Sequence, residues 1–284
     1  MGKQRKKTIV AGPLVYEAIY PLPNPRDSRA VRQGKKNLTS AAQQRMNLKY
    51  QWQKLELVTA CNFRPGDIVL TLTFDNAHLP DSRAKVMGCV REFFKKLRAF
   101  RKARGAPVKY IYVVEHNHSR DDPTFTPVEQ AQQGRYHVHM ILNATGEDAS
   151  DIRACWDKGL LEWHALELSR ECTYESLARY FCKELPDYVG ARKFIPSRGL
   201  AQPETDCQIV DSKETLSPPK GATVYDNTGV VKTEYGKYQY VKYLWPKLVE
   251  HAPRSRKKKG RRLRSGKRTS AFIKFSALRI YIIF

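Results

Sequence analysis

Apolar and polar positions follow two different periods along the 284 residues, and the switches between them mark out the elements. Ile68-Val69-Leu70-Thr71-Leu72-Thr73-Phe74 is dominated by apolar and β-branched types, the signature of a strand buried on at least one face. Val108 to Glu115 is a second such run and closes on a carboxylate. Arg135 to Leu142 is a third. Only a polar loop separates the last two, so they are expected to pair as antiparallel neighbours. Elsewhere the period lengthens. Thr39 to Cys61 lacks Pro and Gly and carries Met46, Tyr50, Leu57 and Ala60 at helical spacing, with Thr39 or Ser40 near the N-cap. Asp81 or Ser82 caps a helix to about Ala103 whose stripe is Val86, Val90, Phe93, Phe94, Leu97 and Phe100.

A short helix from Glu147 to Trp156, a strand from Leu160 to Leu168 and a helix from Thr173 to Leu185 follow, the last stopped by Pro186. The order strand, helix, strand, strand, helix, strand, helix predicts an α+β domain of two layers, with helices on one face of an antiparallel sheet. The flanks carry a weaker pattern. Residues 1–37 are rich in Pro and basic side chains and are expected to be a mostly irregular arm, with one short strand at Lys7 to Val10 or Tyr16 to Tyr20. Residues 38–66 then supply a leading helix packed on a central domain at 67–204, and 205–250 form an extension. In that extension Asp206 to Asn227 is loop-like, while Thr223 to Leu244 has Val, Tyr and Thr at strand spacing. Residues 251–284 are a basic tail with an apolar end.

Charge changes the picture most. Fifty-one Lys and Arg against 28 Asp and Glu leave +23, an excess that calls for a polyanionic partner, with nucleic acid the default and an anionic membrane surface its rival. No apolar run reaches the roughly 20 residues of a spanning helix, and Met1 to Lys7 opens a poor signal peptide. A cytosolic location is expected. Cys61, Cys89, Cys155, Cys172, Cys182 and Cys207 form no C-x-x-C pair, which speaks against structural zinc. On the helix from Ser82, Arg91, Lys95, Lys96, Arg98, Arg101, Lys102 and Arg104 occupy the surface left by the apolar stripe. They either solvate it or contact phosphate.

Candidate chemistry begins at Gly134-Arg135-Tyr136-His137-Val138-His139-Met140-Ile141-Leu142. Alternation along a strand puts His137 and His139 on one face, half of a metal site. Glu115, ending the neighbouring strand, is the chosen third ligand. His116 and His118 compete for that role from the polar loop, and His78 is placed to line the pocket. Further on, Tyr180 and Lys183 lie three residues apart and share a helix face. A phenol with a pKa near 10 is a weak nucleophile at neutral pH, and a nearby ammonium or a metal-polarised acceptor is the usual remedy. Tyr174 is the rival nucleophile, without a lysine at +3.

Thr71-Leu72-Thr73-Phe74, His137-Val138-His139 and Tyr180-x-x-Lys183, in this order, resemble the three motifs of rolling-circle replication initiators of the HUH endonuclease superfamily. Lys109 to Glu115, Trp156-Asp157-Lys158-Gly159, Tyr174 to Tyr180 and Ser197-Arg198-Gly199-Leu200 with Pro203 are similar to replication-associated proteins of bacterial mobile elements and phages. The resemblance covers about residues 67–204. It implies a ferredoxin-like or RRM-like sheet carrying the histidines on a central strand. It also implies one Mg²⁺ or Mn²⁺ ion on His137, His139 and a third polar ligand. Tyr180 would attack single-stranded or origin DNA, giving a 5′-phosphotyrosyl intermediate and a free 3′-OH, with Lys183 orienting the phosphate or favouring the phenolate. Transesterification conserves the bond, and no G-x-x-x-x-G-K-[ST] occurs. A host- or element-encoded helicase and polymerase would complete replication. Arg135, Lys95, Lys96, Arg179, Arg192, Lys193 and Arg198 are the expected DNA contacts. A relaxase or single-strand transposase would use the same chemistry. A non-catalytic RRM-like nucleic-acid-binding protein would need neither the histidine pair nor Tyr180, and a membrane-surface adaptor would leave the central motifs unexplained.

Overall fold

The structure is a computed structural model that describes residues 3–22, 41–117, 135–169, 173–183, 193–233 and 236–245. It opens with strands β1 (Lys3–Ala11) and β2 (Leu14–Pro21), then helix α1 (Ala41–Asn62) and β3 (Ile68–Leu72). Next come α2 (Arg83–Ala103), β4 (Tyr110–Asn117), β5 (Arg135–Leu142), α3 (Asp148–Cys155), β6 (Leu161–Ala165) and α4 (Glu175–Phe181). Strands β7 (Ile195–Pro196), β8 (Glu204–Asp211), β9 (Thr223–Asn227), β10 (Val231–Thr233) and β11 (Gly236–Leu244) end the described chain.

The class is α+β, and the histidine strand sits in the middle of an antiparallel sheet ordered β6-β3-β5-β4-β7. The stretch β3-α2-β4-β5-α3-β6 has the connectivity of a ferredoxin-like unit, and β4 pairs with β5 as expected. Alternation decides which side chains face which layer. Leu70, Leu72, Tyr112, Val114, Val138, Met140 and Leu142 pack against Val86, Val90, Phe93, Phe94 and Leu97 of α2 and Ile152 of α3. Their neighbours Val69, Ile111, Val113 and Ile141 pack on the other side against Leu55 and Val58 of α1 and Ala178 and Phe181 of α4. Helices therefore cover both faces. The α1 and α4 face is the one that carries His137 and His139.

Three expectations need correction. Helices cover both faces where the element order placed them on one, because the apolar residues of α1 and α4 pack on the second face of the sheet. Residues 3–21 are a β-hairpin, with register from Gln4↔Pro21 to Ala11↔Leu14, where a mostly irregular arm was expected. Basic residues disguise β1 because its side chains are mostly half-exposed and its other neighbour, β8, lies far away in sequence. Residues 204–211, expected to be largely loop, form β8 and pair with β1. These strands join β9, β10 and β11 in a second sheet, ordered β10-β11-β2-β1-β8, with β9 sharing an edge of β11. The tail from 251 and the expected cap at Thr39 or Ser40 lie outside the described residues. No described helix is long and apolar enough to cross a membrane.

Ser82 caps α2, its hydroxyl oxygen accepting from the Lys85 N–H. At the other end Arg101 is fully buried, contrary to its expected place on the solvated surface. Its guanidinium donates to Asn143 O at 2.8 Å, to Asn143 Oδ1 at 2.9 Å and to Asp148 Oδ1 at 2.6 Å, tying α2 to α3. Burial pushes the Asp148 carboxyl up, but donation from Thr145 and Gly146 and the charge of Arg101 outweigh it and leave a net downward shift. A carboxyl held below its unfolded value stabilises the fold above that value, and the contribution is lost as pH falls through the folded one. Acid denaturation should therefore draw on Asp148 only below its ordinary value of 3.8. Asp148→Asn is expected to lower stability at pH 7 and to flatten the acid limb of a stability-against-pH curve measured by urea denaturation.

Candidate active site

Strand register brings the first half of the site together. Glu115 lies directly opposite His137, and His139 opposite Val113 on one side and Thr71 on the other. On the same face, His139 Nε2 stands 2.8 Å from Glu115 Oε2 and its Nδ1 stands 3.0 Å from Thr71 Oγ1. An ionised carboxylate only accepts, so Nε2 carries a proton toward Glu115, while Nδ1 pairs with the threonine hydroxyl, which can donate or accept. Thr71 came to notice only as part of a motif; its bond to His139 required the register. The His137 and His139 rings are nearly parallel, with centroids 6.4 Å apart.

Helix α4 supplies the second half. Tyr180 stands edge-on to His139, with ring centroids 5.5 Å apart, and is 45% exposed, open to a ligand. Lys183, two residues past the helix, folds back so that Nζ lies 4.3 Å from the Tyr180 ring centroid and 2.7 Å from Glu115 Oε1. The five residues singled out for catalysis and metal binding thus form one cluster. Tyr174 is buried in the core at the start of α4, and burial pushes its phenol up to about 12.

Protonation states follow from these contacts. The His139 hydrogen bond, opposed by burial and aided by Lys183, brings the Glu115 carboxyl down to about 2. Burial, then repulsion from His139, lowers His137 and favours the neutral imidazole. Burial works against the Lys183 ammonium, but the hydrogen bond and charge of Glu115 win and raise its pKa. Lys183 is therefore a cation at neutral pH and cannot be the base that takes the Tyr180 proton. An ionised carboxylate and a neutral imidazole are the forms in which these groups bind a metal, so the donor set fits a divalent ion in kind. Among the described residues, however, no three His, Cys, Asp or Glu side chains close into a metal-holding group. Both Glu115 oxygens are engaged, one by His139 and one by Lys183.

The first motif and Trp156-Asp157-Lys158-Gly159 build the rim. Trp156 Nε1 donates to Thr73 O at 3.1 Å, and Asp75 N donates to Lys158 O at 2.9 Å. Gly159, at φ +154°, passes so near that a Cβ would lie 2.5 Å from Thr73 O and 2.8 Å from Asp75 N. Backbone cannot yield there as a flexible side chain would. Gly159→Ala is expected to cost about 1–3 kcal/mol, the range for overpacking, measurable by urea denaturation. Beside His137 a cleft of about 760 Å³ opens between Thr73, Phe74, Arg135, Tyr136, Asp157 and Leu160.

The remaining predicted residues scatter. Arg135 donates to Asn76 at the cleft, and His78 pairs with Asp75 at 2.8 Å on the exposed surface. His116 stacks on Tyr136. Arg179 is held by Glu175 and lies 4.5 Å over the Trp52 ring. Arg198 is exposed and Lys193 half-buried. Lys95 and Lys96 sit on α2, across the sheet from Tyr180. Arg192 and His118 lie outside the described residues.

Residues 67–185 match the family model described as Replication-associated protein ORF2/G2P. The matched stretch contains Thr71, Glu115, both histidines, Tyr180 and Lys183, and agrees with the resemblance of their motifs to rolling-circle replication initiators. No curated protein and no solved structure matches the chain.

Proposed function

We propose, from the match of residues 67–185 to replication-associated proteins, that this chain is a single-tyrosine, metal-dependent DNA nickase and strand-transferase that starts rolling-circle replication. The observation that carries the proposal is the convergence of Tyr180, Lys183, Glu115 and His139 on one spot from three separate elements. Tyr180 Oη attacks a phosphodiester of single-stranded DNA. A phosphotyrosyl bond forms at the 5′ end, the bond to the 3′ oxygen breaks, and the 3′-OH leaves to prime synthesis. Lys183, kept cationic by Glu115, offsets the charge of the phenolate and of the phosphate it meets. The cleft beside His137 would receive the nucleotide next to the scissile phosphate.

His137, His139 and Glu115 would hold one Mg²⁺ or Mn²⁺, which would neutralise the non-bridging oxygens when bound. Binding through His139 Nε2 requires its proton to move to Nδ1. Thr71 supports either tautomer because a hydroxyl both donates and accepts. Glu115 would exchange its bond to Lys183 for the ion, freeing the ammonium beside Tyr180.

The closed Lys183–Glu115–His139 arrangement favours one other reading, an RRM-like protein that binds nucleic acid without cutting it. One assay separates the two. Labelled single-stranded DNA from the protein's own genetic element is incubated with the full chain and Mn²⁺, then denatured. A protein–DNA adduct that chelator prevents supports the nickase; binding with no adduct leaves the passive binder. The helicase and polymerase would come from the host or the element, in the bacterial cytoplasm.

A further inference from the structure

We propose that the outer ridge of α2 is a second nucleic-acid site, one that grips the phosphate backbone of duplex DNA on the side of the sheet away from Tyr180. Arg91, Lys95, Arg98 and Lys102 stand at i, i+4, i+7 and i+11. At 3.6 residues per turn they fall within about 60° of one another along roughly 16 Å of helix. All four are exposed, while the opposite stripe of α2 is buried in the core. No acid sits among them: Glu92, a quarter-turn away, faces Lys158 at 4.0 Å, and Lys96 is drawn off to Asp157 at 3.6 Å.

Among the described residues, no carboxylate lies within ion-pairing distance of Arg91, Lys95 or Lys102. Arg98 donates to the Tyr110 hydroxyl at 3.2 Å, which holds its guanidinium against the helix surface without neutralising it. Like charges three and four residues apart repel and weaken a helix. Four in a line with no counter-charge make the surface complementary to a polyanion.

The geometry selects the kind of polyanion. Single strands are held by aromatic rings on which bases stack, as well as by cations. This ridge offers no row of open rings: half-buried Tyr110 beside Arg98 has one face stacked on buried Phe94 at 3.6 Å, and Phe100, the exposed aromatic of α2, points half a turn away. Exposed Ala84 and half-exposed Gly88 continue the same line toward the N-terminus, with the Arg91 guanidinium 3.8 Å from where a Gly88 Cβ would lie. A straight, rigid row of cations suits the regular phosphates of a duplex. Since α2 and α4 lie on opposite faces of the sheet, a duplex on the ridge does not compete for Tyr180, and it would anchor the double-stranded DNA flanking the cut strand. The proposal stands whether or not Tyr180 is the nucleophile.

The test replaces Arg91, Lys95, Arg98 and Lys102 together with Gln in the full chain. Binding to a labelled 20-base-pair duplex and to a short single strand is followed by fluorescence anisotropy between 50 and 200 mM salt. About 0.9 counterions are released per phosphate contact on duplex, so the slope of log K against log salt should fall by about 3 to 4 for the duplex. Single-strand binding and adduct formation should stay within about twofold of the parent. The double variant Lys95→Gln/Lys102→Gln, the safer for folding, should lose about half as much slope. An unchanged duplex slope in a variant with the parent's melting temperature would overturn the proposal. An equal loss on single-stranded DNA would also overturn it, reassigning the ridge to strand binding.

Discussion

Tyr180→Phe is expected to abolish the covalent protein–DNA adduct, a loss of at least about a thousandfold, since no other group inherits a nucleophile's bond. The substitution is well suited to the question. Phe keeps the ring that stands edge-on to His139, and the removed hydroxyl belongs to an exposed side chain, so stability should change by no more than about 0.5 kcal/mol. DNA binding should survive. Tyr174→Phe is the paired control, because Tyr174 is six residues earlier and only 6% exposed, packed in the core. It should weaken the fold and leave the adduct. An adduct of undiminished yield from the Tyr180 variant would move the nucleophile elsewhere. An adduct lost from the Tyr174 variant alone would move it to that residue.

The sequence showed this cluster in outline because its parts obey local rules. Strand alternation puts His137 and His139 on one face, and the three-residue spacing keeps Tyr180 near Lys183, although the helix ends at Phe181 and a closing turn, not a shared helix face, brings the lysine back. What it could not show is how the parts engage. Glu115 was chosen for ending a strand, but its double engagement by His139 and Lys183 depends on register and on how the chain folds back after α4. Thr71 is an ordinary strand threonine until β3 pairs with β5. Arg101 had the spacing of a surface cation, and its burial depends on Asp148 and Asn143, over forty residues away. The second sheet was the least legible part. Its strands come from both ends of the described chain, β1 opens on six polar residues, and β8 is exposed along nearly its whole length. Short-range periodicity sees a strand when one face is buried and loses it when both are half-wet.

That second sheet also reaches α4, the helix of Tyr180, through a contact no local pattern announces. Lys242 of β11, almost fully buried, donates to Glu56 of α1 at 2.8 and 3.1 Å and to Glu175 in the first turn of α4 at 2.6 Å. The Tyr16 hydroxyl of β2 donates to the same Glu56 carboxylate. Burial lifts the Glu56 carboxyl above its usual range even though Lys242 and Tyr16 pull it down. One ammonium therefore offsets two carboxylates in a site nearly closed to water. Removing it leaves Glu56 buried and uncompensated, which costs about 3–5 kcal/mol when one partner of a buried pair is deleted. For a chain of this size Lys242→Met should lower the melting temperature by roughly 10 °C. Its effect should extend to α4, because Glu175 also positions Arg179 over Trp52. Adduct formation should slow even at temperatures where the variant stays folded. Glu56→Gln in the same chain removes the stranded charge, so the double variant should recover part of the loss in a urea titration. If Lys242→Met costs no more than a surface substitution, or the double variant is as unstable as the sum of the singles, the buried ammonium does not hold the second sheet to α4.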